Sequence, residues 1–140
     1  MDQIRKRRLL NDLKDIKKNY SQYTIISSDL SQWVVSFIFN NKKLTLQLKF
    51  PDTFPSVAPQ AKFLCKLFHP NIWSDGRICL DTLNSRWVPA MSVASIITTI
   101  LSLLEDANPD SPANTDAAEI FKRNREQYQE LFEKAIQEIE

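Results

Sequence analysis

Glycine, histidine and cysteine are scarce in this sequence of 140 residues, which has one glycine, one histidine and two cysteines. Two cysteines could form one bridge in an extracellular domain, but the charged N-terminus does not resemble a secretion signal, and a reducing compartment would keep both as thiols. No apolar run approaches the roughly 20 residues of a membrane span. We therefore expect an intracellular protein, cytoplasmic or nuclear, without a membrane partner.

The charge balance is close to neutral. A formal net charge of +1 gives no overall attraction to nucleic acid, so we expect no direct nucleic-acid partner. Hydrophobic residues make up 43% and charged residues 25% of the chain, and this balance argues against disorder. The length suits one domain, which we expect to occupy residues 1–140.

Hydrophobic spacing predicts one helix and then four strands in the first half of the chain. Residues 2–19 have an incomplete helical stripe with charge on the other face. Period-two alternation predicts a short strand at residues 23–26 and longer ones with apolar side chains at 33, 35, 37 and 39 and at 44, 46, 48 and 50. Asn40 and Asn41 tolerate positive φ and can make the tight turn between them. A fourth strand is expected at residues 61–65.

The second half of the chain predicts helices. Ser92 is a good N-cap for a central helix over residues 93–104, which has a wide apolar face. Thr115 is expected to cap a further helical stretch, and a last helix carries apolar residues between 128 and 139. The predicted fold is α+β, with an N-terminal helix, a four-stranded antiparallel meander, a central loop, a central helix and C-terminal helices.

The central loop, residues 69–81, holds the chemistry that stands out. Its sequence HPNIWSDGRICLD contains the only histidine, the only glycine and one cysteine, and it lacks helical or strand periodicity. Gly76 predicts an unusual backbone conformation. By position alone, Cys79 would more often be a small buried apolar residue than a nucleophile. Asn71 adds a donor that could stabilise an oxyanion, and Asp81 adds a carboxylate that could orient an amine.

Other kinds of site can be built from the same residues. A zinc site from Cys65, His69 and Cys79 would have only three ligands and lacks paired Cys-x-x-Cys spacing. A cysteine hydrolase would need His69 to reach the thiol as a base, whereas His69 followed by Pro70 is better suited to holding a turn. Cys65, at the end of a predicted strand, is most simply a core residue.

The loop and the Trp87-Val88-Pro89 segment after it resemble the active-site signature of the ubiquitin-conjugating enzymes, which hold a His-Pro-Asn tripeptide upstream of a catalytic cysteine. The resemblance extends from residue 5 to about residue 128 and implies the UBC fold. Within the family, the segments KRRLLNDLK, AKFLCKLFHPN, SVASIITTILSLLEDANPDSPAN and DAAEIFKRN are most similar to the branch that acts in DNA-damage tolerance and N-degron turnover.

The resemblance implies a role for each matching residue. Cys79 would accept the C-terminal carboxyl of ubiquitin from the activating enzyme as a thioester and pass it to a substrate lysine, usually with a ubiquitin ligase. Asn71 would either stabilise the oxyanion or order the loop, and Asp81 and Ser111 would align or deprotonate the acceptor lysine. No bound cofactor is implied, because ATP is used by the upstream activating enzyme.

The resemblance also implies surfaces for the activating enzyme and for a ligase, which we expect to be RING-type. The matching residues lie on the first helix and two loops: Arg5, Lys6, Arg8, Pro55, Ser56, Val88, Pro89 and Ala90. The basic residues near the N-terminus could instead be a solvated helix face or a nuclear-import signal. The outer face of the meander is either a regulatory surface or a solvated sheet face.

This chain departs from the family pattern at two places. Relatives that use certain RING-type ligases often have a large apolar residue where this chain has Ser56. Most relatives also join the second and third strands by a longer excursion rich in glycine and proline, whereas this chain turns at residues 40–43. Three other functions stay open at this level: conjugation of another ubiquitin-like modifier, a non-catalytic ubiquitin-binding scaffold, and a cysteine hydrolase.

Overall fold

The computed structural model describes residues 2–78 and 87–140. Its helices and strands follow the predicted α+β order, in the sequence α1 (Asp2–Asn19), β1 (Thr24–Ser28), β2 (Gln32–Phe39), β3 (Lys42–Lys49), β4 (Gln60–Phe63), α2 (Val93–Glu105), α3 (Thr115–Arg123) and α4 (Arg125–Gln137). No helix within these two ranges is both long enough and apolar enough to cross a membrane.

The four strands form one antiparallel sheet in the order β1-β2-β3-β4, which confirms the predicted meander. Alternation places Leu44, Leu46 and Leu48 of β3 on one face, where each is fully buried. The intervening polar residues of β3 therefore point to the other face. Each fully buried leucine stabilises the fold by roughly 1.5–3 kcal/mol through loss of apolar contact with water.

The turn between β2 and β3 is as short as the sequence predicts. Asn40 has a φ of 48° and Asn41 a φ of 66°, so both residues adopt the left-handed conformation that asparagine tolerates. Phe39 pairs with Lys42 directly across this turn. The shortened hairpin therefore closes without disturbing the register of the two strands.

Helices cover the apolar face of the sheet. Helix α1 buries Leu9 and Ile16, while Ile4 and Leu10 of its predicted stripe are 61% and 49% exposed. The buried face of α1 is therefore narrower than the apolar stripe predicted from the sequence. Helix α2 begins after Ser92, whose Oγ accepts a hydrogen bond from the Ser95 N–H at 3.1 Å, and this confirms the predicted N-cap.

Three predicted boundaries were wrong by one or a few residues. Strand β1 runs over Thr24–Ser28 rather than residues 23–26. Strand β4 ends at Phe63, so half-buried Cys65 packs against the core from the segment after the strand rather than from its end. Helix α3 is capped by Asn114, whose Oδ1 accepts the Ala117 N–H at 3.0 Å, and Thr115 is the first helical residue.

Candidate active site

The segment before Cys79 is fixed against strand β4. Gly76 has a φ of 95°, and its carbonyl accepts the Phe63 N–H at 2.8 Å. A Cβ atom on Gly76 would lie 2.0 Å from the Phe63 carbonyl oxygen, so only glycine fits this position without a shift. The unusual backbone conformation predicted for the single glycine is therefore confirmed.

His69 lies in the interior and uses both ring nitrogens. Its Nε2 atom is 2.6 Å from the Leu103 carbonyl oxygen, which can only accept, so Nε2 carries the proton. Its Nδ1 atom accepts the Asn71 N–H at 3.0 Å. Burial lowers the pKa of His69 to about 4. The side chain is therefore neutral near pH 7, and the ring has no nitrogen left to act as a base on a thiol.

Asn71 is completely buried, and its carboxamide holds the loop that follows α2. Its Nδ2 donates to the carbonyl oxygens of Asn108 at 2.7 Å and Ser111 at 2.9 Å, while its Oδ1 accepts the Asn108 N–H at 2.8 Å. Both amide hydrogens are thus engaged. These bonds order the loop that contains Ser111. Ser111 contacts Asn71 through the Ser111 backbone carbonyl oxygen.

Pro70 ties the same two loops together. Its carbonyl oxygen accepts hydrogen bonds from the Ala113 N–H at 2.7 Å and the Asn114 N–H at 3.0 Å. Since Asn114 also caps α3, the His-Pro-Asn turn connects the central loop to the start of that helix. The buried tripeptide is therefore bonded to α2 through His69, to the loop after α2 through Asn71 and to the start of α3 through Pro70.

Two of the predicted site residues, Cys79 and Asp81, lie outside the described residues. The residue immediately before Cys79 is anchored to the sheet. Ile78 is 1% exposed, and its N–H donates to the Ala61 carbonyl oxygen at 3.1 Å. Among the described residues, no three histidine, cysteine, aspartate or glutamate side chains are grouped so that they could hold a metal ion.

Comparison with known proteins identifies the family. The family model described as "Ubiquitin-conjugating enzyme" matches residues 5–136. The chain belongs to the ubiquitin-conjugating enzyme family. Members of this family are transferases with a thioester intermediate.

Three curated relatives illustrate the similarity. "Ubiquitin-conjugating enzyme E2 2" of Saccharomyces cerevisiae is 36% identical over 141 residues, covering 94% of this chain and 82% of that protein. The protein of the same name from Candida glabrata is 40% identical over 133 residues, covering 88% and 79%. "Ubiquitin-conjugating enzyme E2 1" of Caenorhabditis elegans is 46% identical over 101 residues, covering 72% of this chain and 50% of that protein.

In this ubiquitin-conjugating enzyme, the first residue of the expected docking surface, Arg5, is 7% exposed. Its Nη1 donates to the Phe50 carbonyl oxygen at 3.2 Å and pairs with the Asp52 carboxylate at 3.2 Å. The side chain therefore holds α1 against the segment after β3. Lys6, the next residue, is exposed and is accessible to a partner.

Arg8 connects α1 to the loop before α2. Its Nη1 donates to the Pro89 carbonyl oxygen at 2.6 Å, and its Nη2 donates to the carbonyl oxygen of Met91. Its Nε lies 3.5 Å from Asp12, whose carboxylate accepts the Val93 N–H at 3.3 Å. Arg8 thus positions the loop that was expected to dock partners. Asp12 gave no signal in the sequence, because an acidic residue on a charged helix is usually solvated.

The remaining docking residues lie together on two connected loops. Trp87 donates its Nε1–H to the Pro55 carbonyl oxygen at 2.9 Å. Ser56 is exposed and Val88 is 53% exposed. The exposed part of this surface comprises Lys6, Ser56, Val88, Pro89 and Ala90. The structure therefore brings the first helix and both loops together, with Arg8 and Trp87 as the connections between them.

Proposed function

We propose that Cys79 carries ubiquitin from the activating enzyme to a lysine of a substrate protein. The thiolate of Cys79 attacks the carbonyl carbon of the thioester on the activating enzyme, a new C–S bond forms, the C–S bond to that enzyme breaks, and its sulfur leaves as the thiolate. A neutral lysine amine then attacks the same carbonyl. The C–N bond forms, the C–S bond breaks, and the amine gives up one proton, which ends on the departing Cys79 sulfur to give the thiol.

The observation that carries this proposal is the buried His-Pro-Asn turn. Through Pro70 and Asn71 it fixes the loop containing Ser111, while Ile78 fixes the chain one residue before Cys79. Aminolysis of a thioester needs little acid assistance, and correct approach of the amine supplies much of the rate. A rigid frame that ends one residue before Cys79 in the chain suits this requirement.

Within this mechanism we assign Asn71 to positioning rather than to direct stabilisation of the oxyanion. Its Nδ2 donates to two backbone carbonyl oxygens, at N···O distances of 2.7 and 2.9 Å, which engages both amide hydrogens. Donating to an oxyanion would require the loss of one of these bonds. His69 supports the same reaction class, because both of its ring nitrogens are engaged in hydrogen bonds and a free base at the thioester would favour hydrolysis over transfer. We further propose that Asp81 and the side chain of Ser111 align the acceptor lysine.

The test is a non-reducing gel after incubation with ATP, activating enzyme and ubiquitin. Wild type and Cys65→Ser should both gain a ubiquitin-sized shift that dithiothreitol removes. Cys79→Ser should lose the shift or keep it in a form that resists reductant. Cys65→Ser is the matched control, because burial raises the pKa of the half-buried Cys65 thiol and so makes its thiolate scarce. A reducible shift that persists in Cys79→Ser would refute the assignment.

If wild type is not charged while a known relative is, the same assay with other ubiquitin-like modifiers decides between modifiers. Charging by one of them instead of ubiquitin would change the proposed modifier and keep the role of Cys79. Failure with every modifier would refute the carrier function.

We also propose that a RING-type ligase binds the surface comprising Lys6, Ser56, Val88, Pro89 and Ala90. Its apolar centre is Val88, and the connecting bonds of Arg8 and Trp87 preform it. Val88→Asp should lower ligase-stimulated discharge by about tenfold relative to Ile38→Asp, since loss of a central interface residue commonly costs more than about 1 kcal/mol. Ile38 is a suitable control, since it is an exposed apolar residue on the sheet. Equal effects of the two variants would contradict this surface.

We also propose that the enzyme acts in DNA-damage tolerance or N-degron turnover, in the cytoplasm or nucleus. The support is the resemblance of four segments, beginning with KRRLLNDLK, to the branch of the family that has these roles. Expression of this chain in yeast cells that lack the Saccharomyces cerevisiae relative, followed by exposure to a DNA-damaging agent, tests it. Restored survival with wild type but not with Cys79→Ser is the expected result. Survival no better than that of the deletion strain, despite expression of charged protein, would contradict it.

A further inference from the structure

A basic cleft lies on the solvent-facing side of the sheet, where β3, β4 and residues 72–78 meet. We use "basic cleft" for the depression of about 260 Å³ that contains Lys49, Lys62 and Arg77, together with Gln47, Gln60 and Trp73. No aspartate or glutamate is among the described residues that line it. Three cations therefore share one small surface in a protein whose formal net charge is only +1.

The register of the sheet puts these cations side by side. Lys62 of β4 lies opposite Gln47 of β3 on one side and opposite Arg77 on the other. Lys49 is diagonal to Lys62, because it lies opposite Gln60. Like charges directly opposite each other on neighbouring strands are destabilising. Lys62 and Arg77 therefore repel each other across this pairing, and the Asp75 carboxylate beside them offsets part of the repulsion.

The charge of the cleft is only partly neutralised within the chain. Arg77 pairs through Nε with Asp75 at 2.7 Å, and its guanidinium lies 5.1 Å from the centre of the Trp73 ring. These contacts hold Arg77 in place. Lys49 and Lys62 form no ion pair with any carboxylate in residues 2–78 or 87–140. Among these residues Lys49 and Lys62 thus lack an ion pair, although the nearby Asp75 carboxylate attracts Lys62, and Arg77 lies beside them in a fixed position.

The spacing of the cations identifies the kind of anion that fits. Neighbouring strands are about 4.8 Å apart, and diagonal residues are about 7–8 Å apart. The side chains of Lys49, Lys62 and Arg77 are therefore attached to the backbone too far apart for one small anion to neutralise all three. An extended peptide places every second side chain on the same side, about 6.6 Å apart. Glutamate or aspartate at alternate positions would match this spacing. Gln47 and Gln60 can hydrogen-bond to the backbone of such a peptide.

We propose that the basic cleft binds an extended acidic peptide segment of a partner protein. Ile78 forms part of its wall and is directly followed by Cys79 in the chain. The cleft is therefore one residue in sequence from the proposed acceptor thiol, although binding does not depend on that thiol. The inference is independent of the proposed ubiquitin transfer, and its test uses no ubiquitin.

The probe is a short fluorescein-labelled peptide of alternating glutamate and serine, titrated by anisotropy at low ionic strength. Replacing both lysines of the cleft, Lys49→Gln with Lys62→Gln, should raise the Kd about five- to tenfold, since each exposed ion pair contributes modestly. The matched control is Lys14→Gln with Lys17→Gln, which removes the same charge from exposed positions of α1. The control should change the Kd less than about twofold.

Amide chemical shifts locate the bound peptide. We expect shifts at Lys62 and Arg77 in wild type, and their loss in the double cleft variant. Equal weakening by the α1 control would show non-specific attraction and overturn the proposal. Absence of binding at low ionic strength would overturn it as well. Inorganic phosphate that displaces the peptide when present at the same concentration would show a single-anion site instead, and this result would also contradict a peptide site.

Discussion

Replacing Asn71 with alanine removes the three hydrogen bonds that join its carboxamide to the loop after α2, at 2.7, 2.8 and 2.9 Å. A hydrogen bond of this kind contributes a net 0.5–1.5 kcal/mol, so the loss amounts to about 2–4 kcal/mol. The groups left behind are the Asn108 N–H and the carbonyl oxygens of Asn108 and Ser111. This cost is a large part of the roughly 5–15 kcal/mol that stabilises a typical domain.

Urea unfolding measures the change in the free energy of unfolding of Asn71→Ala. Faster amide hydrogen exchange at Asn108 would show that the loop after α2 is the part that is destabilised. The control is Asn108→Ala in the same loop. Within the described part of the chain, the Asn108 side chain accepts one hydrogen bond, from the Asp110 N–H at 3.2 Å, and the backbone bonds of Asn108 to Asn71 would be retained. We expect a loss below about 1 kcal/mol for that variant.

The positioning role also predicts an effect on transfer. Discharge of ubiquitin to free lysine should slow in Asn71→Ala in parallel with faster exchange of the Asn108 amide. If Asn71→Ala unfolds at the same urea concentration as Asn108→Ala and leaves the Asn108 amide protected, the hydrogen bonds do not order the loop. Slower discharge under those conditions would then support direct stabilisation of the oxyanion.

Three further predictions concern single positions. Gly76→Ala should lower the free energy of unfolding by about 3 kcal/mol, because alanine disfavours the left-handed backbone and the hydrogen bond to the Phe63 N–H would be lost. The control Ser74→Ala, in the same turn, should change it little, and similar values for both variants would contradict the steric argument. Asn41→Ala should cost about 1 kcal/mol in urea unfolding and Asn41→Gly less, and the reverse order would refute the turn assignment. Folding lowers the pKa of His69 from 6.5 to about 4, so the unfolded chain takes up the proton more readily. The free energy of unfolding should therefore fall by up to about 3 kcal/mol as the pH drops from 6.5 to 4, and an equal pH dependence in His69→Gln would exclude His69 as the cause.

The sequence predicts those parts of the fold that depend on local spacing. Alternating apolar residues gave β2 and β3, and two asparagines gave the turn between them, because a strand pattern and a left-handed turn each depend on neighbouring residues. Ser92 predicted the start of α2 for the same reason. The boundaries of β1, β4 and α3 were less accurate, since tertiary pairing decides where a short element ends.

The candidate site shows the same division. The His-Pro-Asn tripeptide, the single glycine and Cys79 are visible in the sequence, and the tripeptide with the cysteine was enough to indicate the enzyme family. The chemical role of Asn71 was left open between two alternatives. Its hydrogen-bond partners Asn108 and Ser111 lie far along the chain, and only their positions in space favour the ordering of the loop.

Charged residues mark the limit of prediction from sequence. Arg5 and Arg8 belong to a basic cluster that suggests a docking patch, but folding directs both side chains at backbone carbonyl oxygens of distant segments. Conversely, Lys62 and Arg77 have no evident relation in the sequence until β4 pairs with the central loop. Local periodicity predicted the helices and strands of this protein, and the residue types of the central loop marked the site. Tertiary structure alone decided which charges hold the fold together and which remain exposed, because long-range pairing leaves no regular spacing in the chain.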